Sequence, residues 1–82
     1  MEDKRIATIS IIVYDRAAAE RVNAVLHEYS DHIIGRMGLP YEKKGVSIIC
    51  VCLDAPTSVT SAISGKLGMI PEVSAKTNTA KV

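Results

Sequence analysis

The sequence predicts an α+β fold of order β-α-β-β-α-β: a four-stranded antiparallel sheet covered by two helices on one face. Three observations carry this. Apolar residues alternate with a period of two in separate segments, two intervening segments repeat them at helical spacing, and both helical segments open on capping signals. The 82 residues are expected to form a single domain spanning 1–82. Its core must be aliphatic, because the chain has three Tyr but neither Phe nor Trp. A chain this short buries only about 60% of the surface its unfolded form exposes, so a lone copy should be marginally stable.

Residues 5–13 alternate, with Ala7, Ile9, Ile11 and Val13 on one side and Ile6, Thr8, Ser10 and Ile12 on the other. Successive strand side chains point to opposite faces, so this is a β-strand. Asp15 follows at a helix N-cap position, where its carboxylate can accept from free N–H groups of the first turn. Ala18, Val22, Val25, Leu26 and Tyr29 then form one apolar stripe, with Arg16, Glu20, Asn23 and His27 opposite, and the helix should end near Tyr29. Residues 32–37 read as a second strand interrupted by Gly35. Residues 39–45 read as a polar connection ending in glycine, with Leu39 and Tyr41 able to prolong the strand.

Residues 46–53 form the third strand, apolar on both parities. Residues 54–58, Asp-Ala-Pro-Thr-Ser, signal a second helix through candidate caps and a proline suited to its first turn. Val59, Ala62, Ile63 and Leu67 supply the stripe. Gly68 is placed to end the helix with a positive φ, and Pro71 prevents continuation. Val73, Ala75 and Thr77 alternate in a fourth strand, and residues 78–82, above all 79–82, read as a frayed tail. This order is the split βαβ, or ferredoxin-like, arrangement, with the first and third strands central.

With both helices on one face, the second face of the central strands should be polar in a monomer. Here the first strand presents Ile6, Thr8, Ser10 and Ile12, and the third presents Ile48, Cys50 and Cys52. An apolar face of this kind predicts a cover. The simplest cover is a second copy, so the expected partner is the chain itself, as a homodimer or homotetramer. The alternative is that Thr8, Ser10 and Cys52 leave a tolerable wet surface.

Ten Lys and Arg against nine Asp and Glu give +1 with the signs interleaved, which excludes a strongly basic nucleic-acid footprint. No apolar run reaches the roughly 20 residues of a membrane span. The first five residues mix acids and bases, unlike a secretory leader, and two cysteines are too few for a disulfide framework, so a cytoplasmic protein is expected. Cys50 and Cys52 form a Cys-x-Cys on a strand, with both thiols on one face about 7 Å apart. They could share a soft metal with a partner's pair, or pack as small hydrophobes, as free cysteines usually do. His27 and His32 complete no ligand spacing, and no resident metal or cofactor is expected. Gly65-Lys66 lacks the other residues of a phosphate loop and reads as a helix C-terminus. No Ser-His-Asp set or carboxylate pair points to an enzyme. There remains Gly35-Arg36-Met37-Gly38-Leu39-Pro40-Tyr41, where two glycines flank an Arg-Met pair. They either permit close approach by a backbone or ligand, or bend a hairpin edge.

Asp15-Arg16, the Gly35-Arg36-Met37-Gly38-Leu39-Pro40-Tyr41 stretch, and Gly65-Lys66-Leu67-Gly68 ahead of Ile70-Pro71-Glu72-Val73 carry a resemblance over nearly the whole chain. Together they resemble the small ACT-like family of iron-only hydrogenase system regulators, related in fold to the ligand-binding domain of nickel-responsive repressors. The resemblance implies an ACT-like assembly of copies with a small-molecule effector between subunits. Its site would lie near the first strand–helix loop and the second strand, at Tyr14, Asp15 and Arg16 with Gly35, Arg36, Met37 and Gly38. A helix N-terminus and two arginines suit a carboxylate ligand. The implied function is a regulatory, ligand-sensing module, transcriptional or acting on the hydrogenase system. Direct nucleic-acid binding is not expected, because the first strand begins at residue 5 without a DNA-binding arm before it. The alternative is a metal-binding accessory protein for metallocluster biogenesis, using Cys50, Cys52 or the histidines across a subunit interface.

Overall fold

The structure, a computed structural model, describes residues 3–80. Among these, the alternating and helical patterns become β1 (Lys4–Val13), α1 (Ala19–Glu28), β2 (Ile33–Tyr41), β3 (Val46–Pro56), α2 (Thr57–Gly68) and β4 (Val73–Ala80). Short 3-10 turns at Arg16–Ala18, Ser30–His32 and Glu42–Lys44 join them. The sheet order is β2-β3-β1-β4 and every neighbouring pair is antiparallel. This is the ferredoxin-like α+β fold, with β1 and β3 central.

Burial follows parity. Ala7, Ile9, Ile11 and Val13 of β1 meet Ile49, Val51, Leu53 and Ala55 of β3 in one core with Val22 and Leu26 of α1 and Ile63 and Leu67 of α2. Both helices therefore lie on a single face of the sheet. Each fully buried side chain of this size stabilises by about 1.5–3 kcal/mol, and no aromatic ring is fully buried. Thr60 is buried beside them, while Ser64 Oγ and Thr77 Oγ1 pin α2 to β4 at 2.6 Å.

The elements depart from the sequence pattern in four places. β2 runs on through Leu39, Pro40 and Tyr41, so the connection shrinks to Glu42–Lys44 and Gly45. Pro40 is tolerated because β2 is an edge strand, where a missing N–H can face outward. β3 continues to Pro56, since β1 already starts at Lys4 and pairs residue for residue with Asp54, Ala55 and Pro56. Asp54 is consequently a strand residue and not a helix cap. Gly68 stays inside α2 and is not left-handed; Met69 caps the helix at φ −86°. The left-handed residue is Glu72 (φ 65°), whose carbonyl accepts from the Tyr14 N–H at 2.8 Å and ties the α2–β4 connection to the end of β1. Finally, Asn78 and Ala80 pair with Thr8 and Ile6, so residues 78–80 belong to β4 and do not fray. Residues 81–82 of the expected tail lie outside the described residues.

Gly45 adopts φ 67° at the β2–β3 connection, and a Cβ there would meet nothing within 4 Å. The cost of Gly45→Ala is therefore backbone strain alone, an expected loss of about 1–2 kcal/mol. A lowered urea midpoint with an unchanged slope is the check.

Candidate functional site

The end of β1 starts the first candidate region. Asp15 is extended (φ −130°), and its Oδ1 accepts from the Ala17 N–H at 3.0 Å while its carbonyl accepts from the Ala18 N–H at 2.8 Å. It is the cap that the sequence implies, but it caps the 3-10 turn ahead of α1. Its carboxylate is thus committed to the backbone. Tyr14 and Arg16 are exposed on either side. Arg16 borders a half-open hollow of about 290 Å³ lined by Val13, Pro40, Tyr41, Glu42, Gly45, Val46 and Ser47, at the small end of ligand-pocket sizes. The β2–β3 hairpin forms the wall of this hollow, which exists because β2 continues to Tyr41.

Residues 35–38 sit elsewhere. Gly38, Arg36 and Gly35 pair with Ile49, Val51 and Cys52, along the middle of edge strand β2, whereas Tyr14, Asp15 and Arg16 follow the end of β1. Arg36 and Met37 point to opposite faces. The Arg36 guanidinium donates to Asn23 Oδ1 and ties the edge strand to α1. A Cβ at Gly35 would lie 3.9 Å from the Cys52 Cβ, an ordinary contact, and one at Gly38 would meet nothing within 4 Å. The irregularity in β2 falls between Ile33 and Gly35.

The second candidate region is the sheet face away from the helices. Register places Ile6, Thr8, Ser10 and Ile12 beside Asp54, Cys52, Cys50 and Ile48 on this face, as parity predicts. β2 adds Met37, Leu39 and Tyr41, which pair with Cys50, Ile48 and Val46 and are 56%, 48% and 41% exposed. β4 adds Ser74, Lys76, Asn78 and Ala80. The face is accordingly graded: apolar on its β2–β3 half and polar along β4. Met37, Leu39 and Tyr41 keep the alternation in sequence, but Gly38 and Pro40 disguise it as a turn.

Cys50 is half-buried and Cys52 exposed, and both are free thiols. His27 is exposed on α1 and His32 half-buried in the following turn. No three His, Cys, Asp or Glu side chains cluster among the described residues. Lys66 ends α2 as a clip, with its Nζ 2.8 Å from Glu28 Oε2 and 5.0 Å from the Tyr29 ring centre. The hydrogen bond to Glu28 leads in raising its pKa above 10.5. No helix among the described residues is long and apolar enough to cross a membrane.

This geometry defines a class: small ferredoxin-like α+β domains with one sheet face left uncovered by their own helices. Within it, the chain belongs to the TM1266-like family, described as "Iron-only hydrogenase system regulator, putative", whose profile it matches over residues 5–77. Among solved structures it is similar to the uncharacterized protein TM1266 from Thermotoga maritima, with 38% identity and a TM-score of 0.93, over 96% of this chain and 100% of that one. The C-terminal domain of the MgtC protein from Mycobacterium tuberculosis shares the fold, with a TM-score of 0.70 over 99% of this chain and 93% of that one, at 12% identity. No curated protein matches the chain.

Proposed function

We propose that this chain is a regulatory module that acts by binding and not by catalysis. Its working unit is two or more copies joined through the apolar half of the open sheet face, with a small carboxylate effector held at Arg16 where the copies meet. The observation that carries this reading is the row Met37, Leu39 and Tyr41, three large side chains about half exposed on an edge strand beside Ile48, Cys50 and Ile12. Contiguous exposed apolar surface marks interaction sites. The hollow beside Arg16 includes Tyr41 of that row and its partner Val46, so the hollow and the face adjoin at one end of the β2–β3 pair. The family description as a regulator agrees with a binding role. Free Cys50 and Cys52 suit a reducing compartment such as the cytoplasm.

Native mass spectrometry tests the assembly, and thermal shifts across a panel of amino acids and small dicarboxylates test the effector. At least one carboxylate should raise the melting temperature of the wild type. Arg16→Ala should remove the shift and leave the fold intact, because Arg16 is exposed and outside the core. A monomer at micromolar concentration, or an undiminished shift in Arg16→Ala, would contradict the reading.

A further inference from the structure

Three sulfur side chains share the open face at adjoining positions. Met37 of β2 is the direct partner of Cys50, and Cys52 lies two residues further along β3 on the same face. We propose that Cys50, Cys52 and Met37 together bind one copper(I) ion through two thiolates and a thioether.

The register makes the approach possible. Directly paired residues in an antiparallel sheet have Cβ atoms about 4.5–5.5 Å apart, within reach of a long side chain. Met37 is 56% exposed in a single chain, so before any partner seats on this row its flexible thioether can fold over the thiol of Cys50. Cys52 faces Gly35, which has no side chain to obstruct a bound ion. On the β1 side the neighbours are Ser10 and Thr8, both small. The two thiols stand about 7 Å apart at their Cα atoms, close enough for both sulfurs to turn inward onto one ion.

The donor set selects the metal. Thiolate and thioether are soft ligands that favour copper(I), which accepts two or three of them. Zinc requires four ligands in a structural site, and no cluster of three His, Cys, Asp or Glu exists among the described residues to supply them. Asp54 continues the row, but four residues from Cys50 put it about 13 Å away. On binding, two S–H bonds give way to two S–Cu bonds, both protons pass to solvent, and copper keeps its oxidation state. The resulting pair of thiolates around a monovalent ion carries one negative charge. Lys76, in the same cross-strand row through Ser10, places an ammonium on that face.

The inference does not depend on a second copy covering the face, because all three donors come from one chain. Its test is an anaerobic titration of reduced protein with copper(I) against a chromophoric copper(I) chelator, with zinc(II) titrated in parallel. One copper per chain is expected, with thiolate-to-copper charge-transfer absorption in the near ultraviolet. Cys50→Ser and Cys52→Ser should each weaken binding by at least about 100-fold, and Met37→Leu by about tenfold. If Cys50→Ser fails to fold, Cys52→Ser decides the matter, since Cys52 is exposed. Failure of the wild type to compete with the chelator, undiminished affinity in Cys52→Ser, or tighter binding of zinc than of copper would overturn the proposal. The mass of the metal-free protein reports self-association separately, so the two readings fail by different signals.

Discussion

Replacing Ile9 with alanine is expected to lower the unfolding free energy by about 3–4 kcal/mol, among the largest effects of any single truncation in this chain. Ile9 is completely buried at the middle of central strand β1, paired with Val51 on one side and Thr77 on the other. The strands around it are locked in register and the helices above it are held by their own buried residues, so the site has little freedom to collapse into the void. A domain of 82 residues has a total stability of only about 4–12 kcal/mol, which makes this loss a quarter or more of the whole. Ile9→Val should cost only about 0.5–1.5 kcal/mol because it removes a single methylene. Urea unfolding at fixed protein concentration measures both. A loss below about 1 kcal/mol for the alanine variant would mean that the core tolerates a cavity there.

The second large effect is expected at Leu39→Lys, and it concerns assembly, not folding. Leu39 is 48% exposed within one chain, so the substitution should change the stability of the isolated fold by no more than about 0.5 kcal/mol. In an assembly joined across the β2–β3 half of the face, the same lysine would bury an uncompensated ammonium. Desolvating a charge without a partner costs several kcal/mol, enough to raise the dissociation constant by about 100-fold or more. Sedimentation or light scattering should show the wild-type oligomer and a folded Leu39→Lys monomer. Asn78→Lys, on the polar β4 half of the same face, should leave assembly unchanged. Equal dissociation in both variants would locate the contact elsewhere. The two predictions are linked, since association stabilises by mass action, and Ile9→Ala should unfold most readily in dilute solution.

Much of this was legible from residue order. β1 and α1 announce themselves because their apolar periods are strong and uninterrupted. The central place of β1 and β3 follows from the order of elements. The open-face residues of β1 and β3 could be named because strand parity assigns a face before any contact is known. The end of β2 was obscured by Gly38 and Pro40, which locally resemble a turn; edge position cancels the usual penalty, and edge position is a property of the whole sheet. Asp54 looked like a cap until the β1–β3 register gave it Ile6 as a strand partner. The hollow at Arg16 was hidden for the same reason as the end of β2, since its wall is the lengthened hairpin. The bond from Arg36 to Asn23 joins residues 13 positions apart on different elements, and nothing in the local pattern around either one implies it.

Pro40 has a further effect on how copies of this protein can accumulate. An exposed sheet edge is a template on which strands add one after another, the route by which small β-rich proteins polymerise. At the β2 edge, Pro40 brings a residue without an N–H donor into the border strand, a feature that works against such growth. At the other edge, β4 presents Ser74, Lys76, Thr77, Asn78 and Thr79, a polar strand with little to bury. Neither border favours endless lateral extension, whereas a face can be satisfied once and then closed. Apolar surface on the face thus differs from apolar surface on an edge: covering it ends an association, whereas covering an edge exposes a new one.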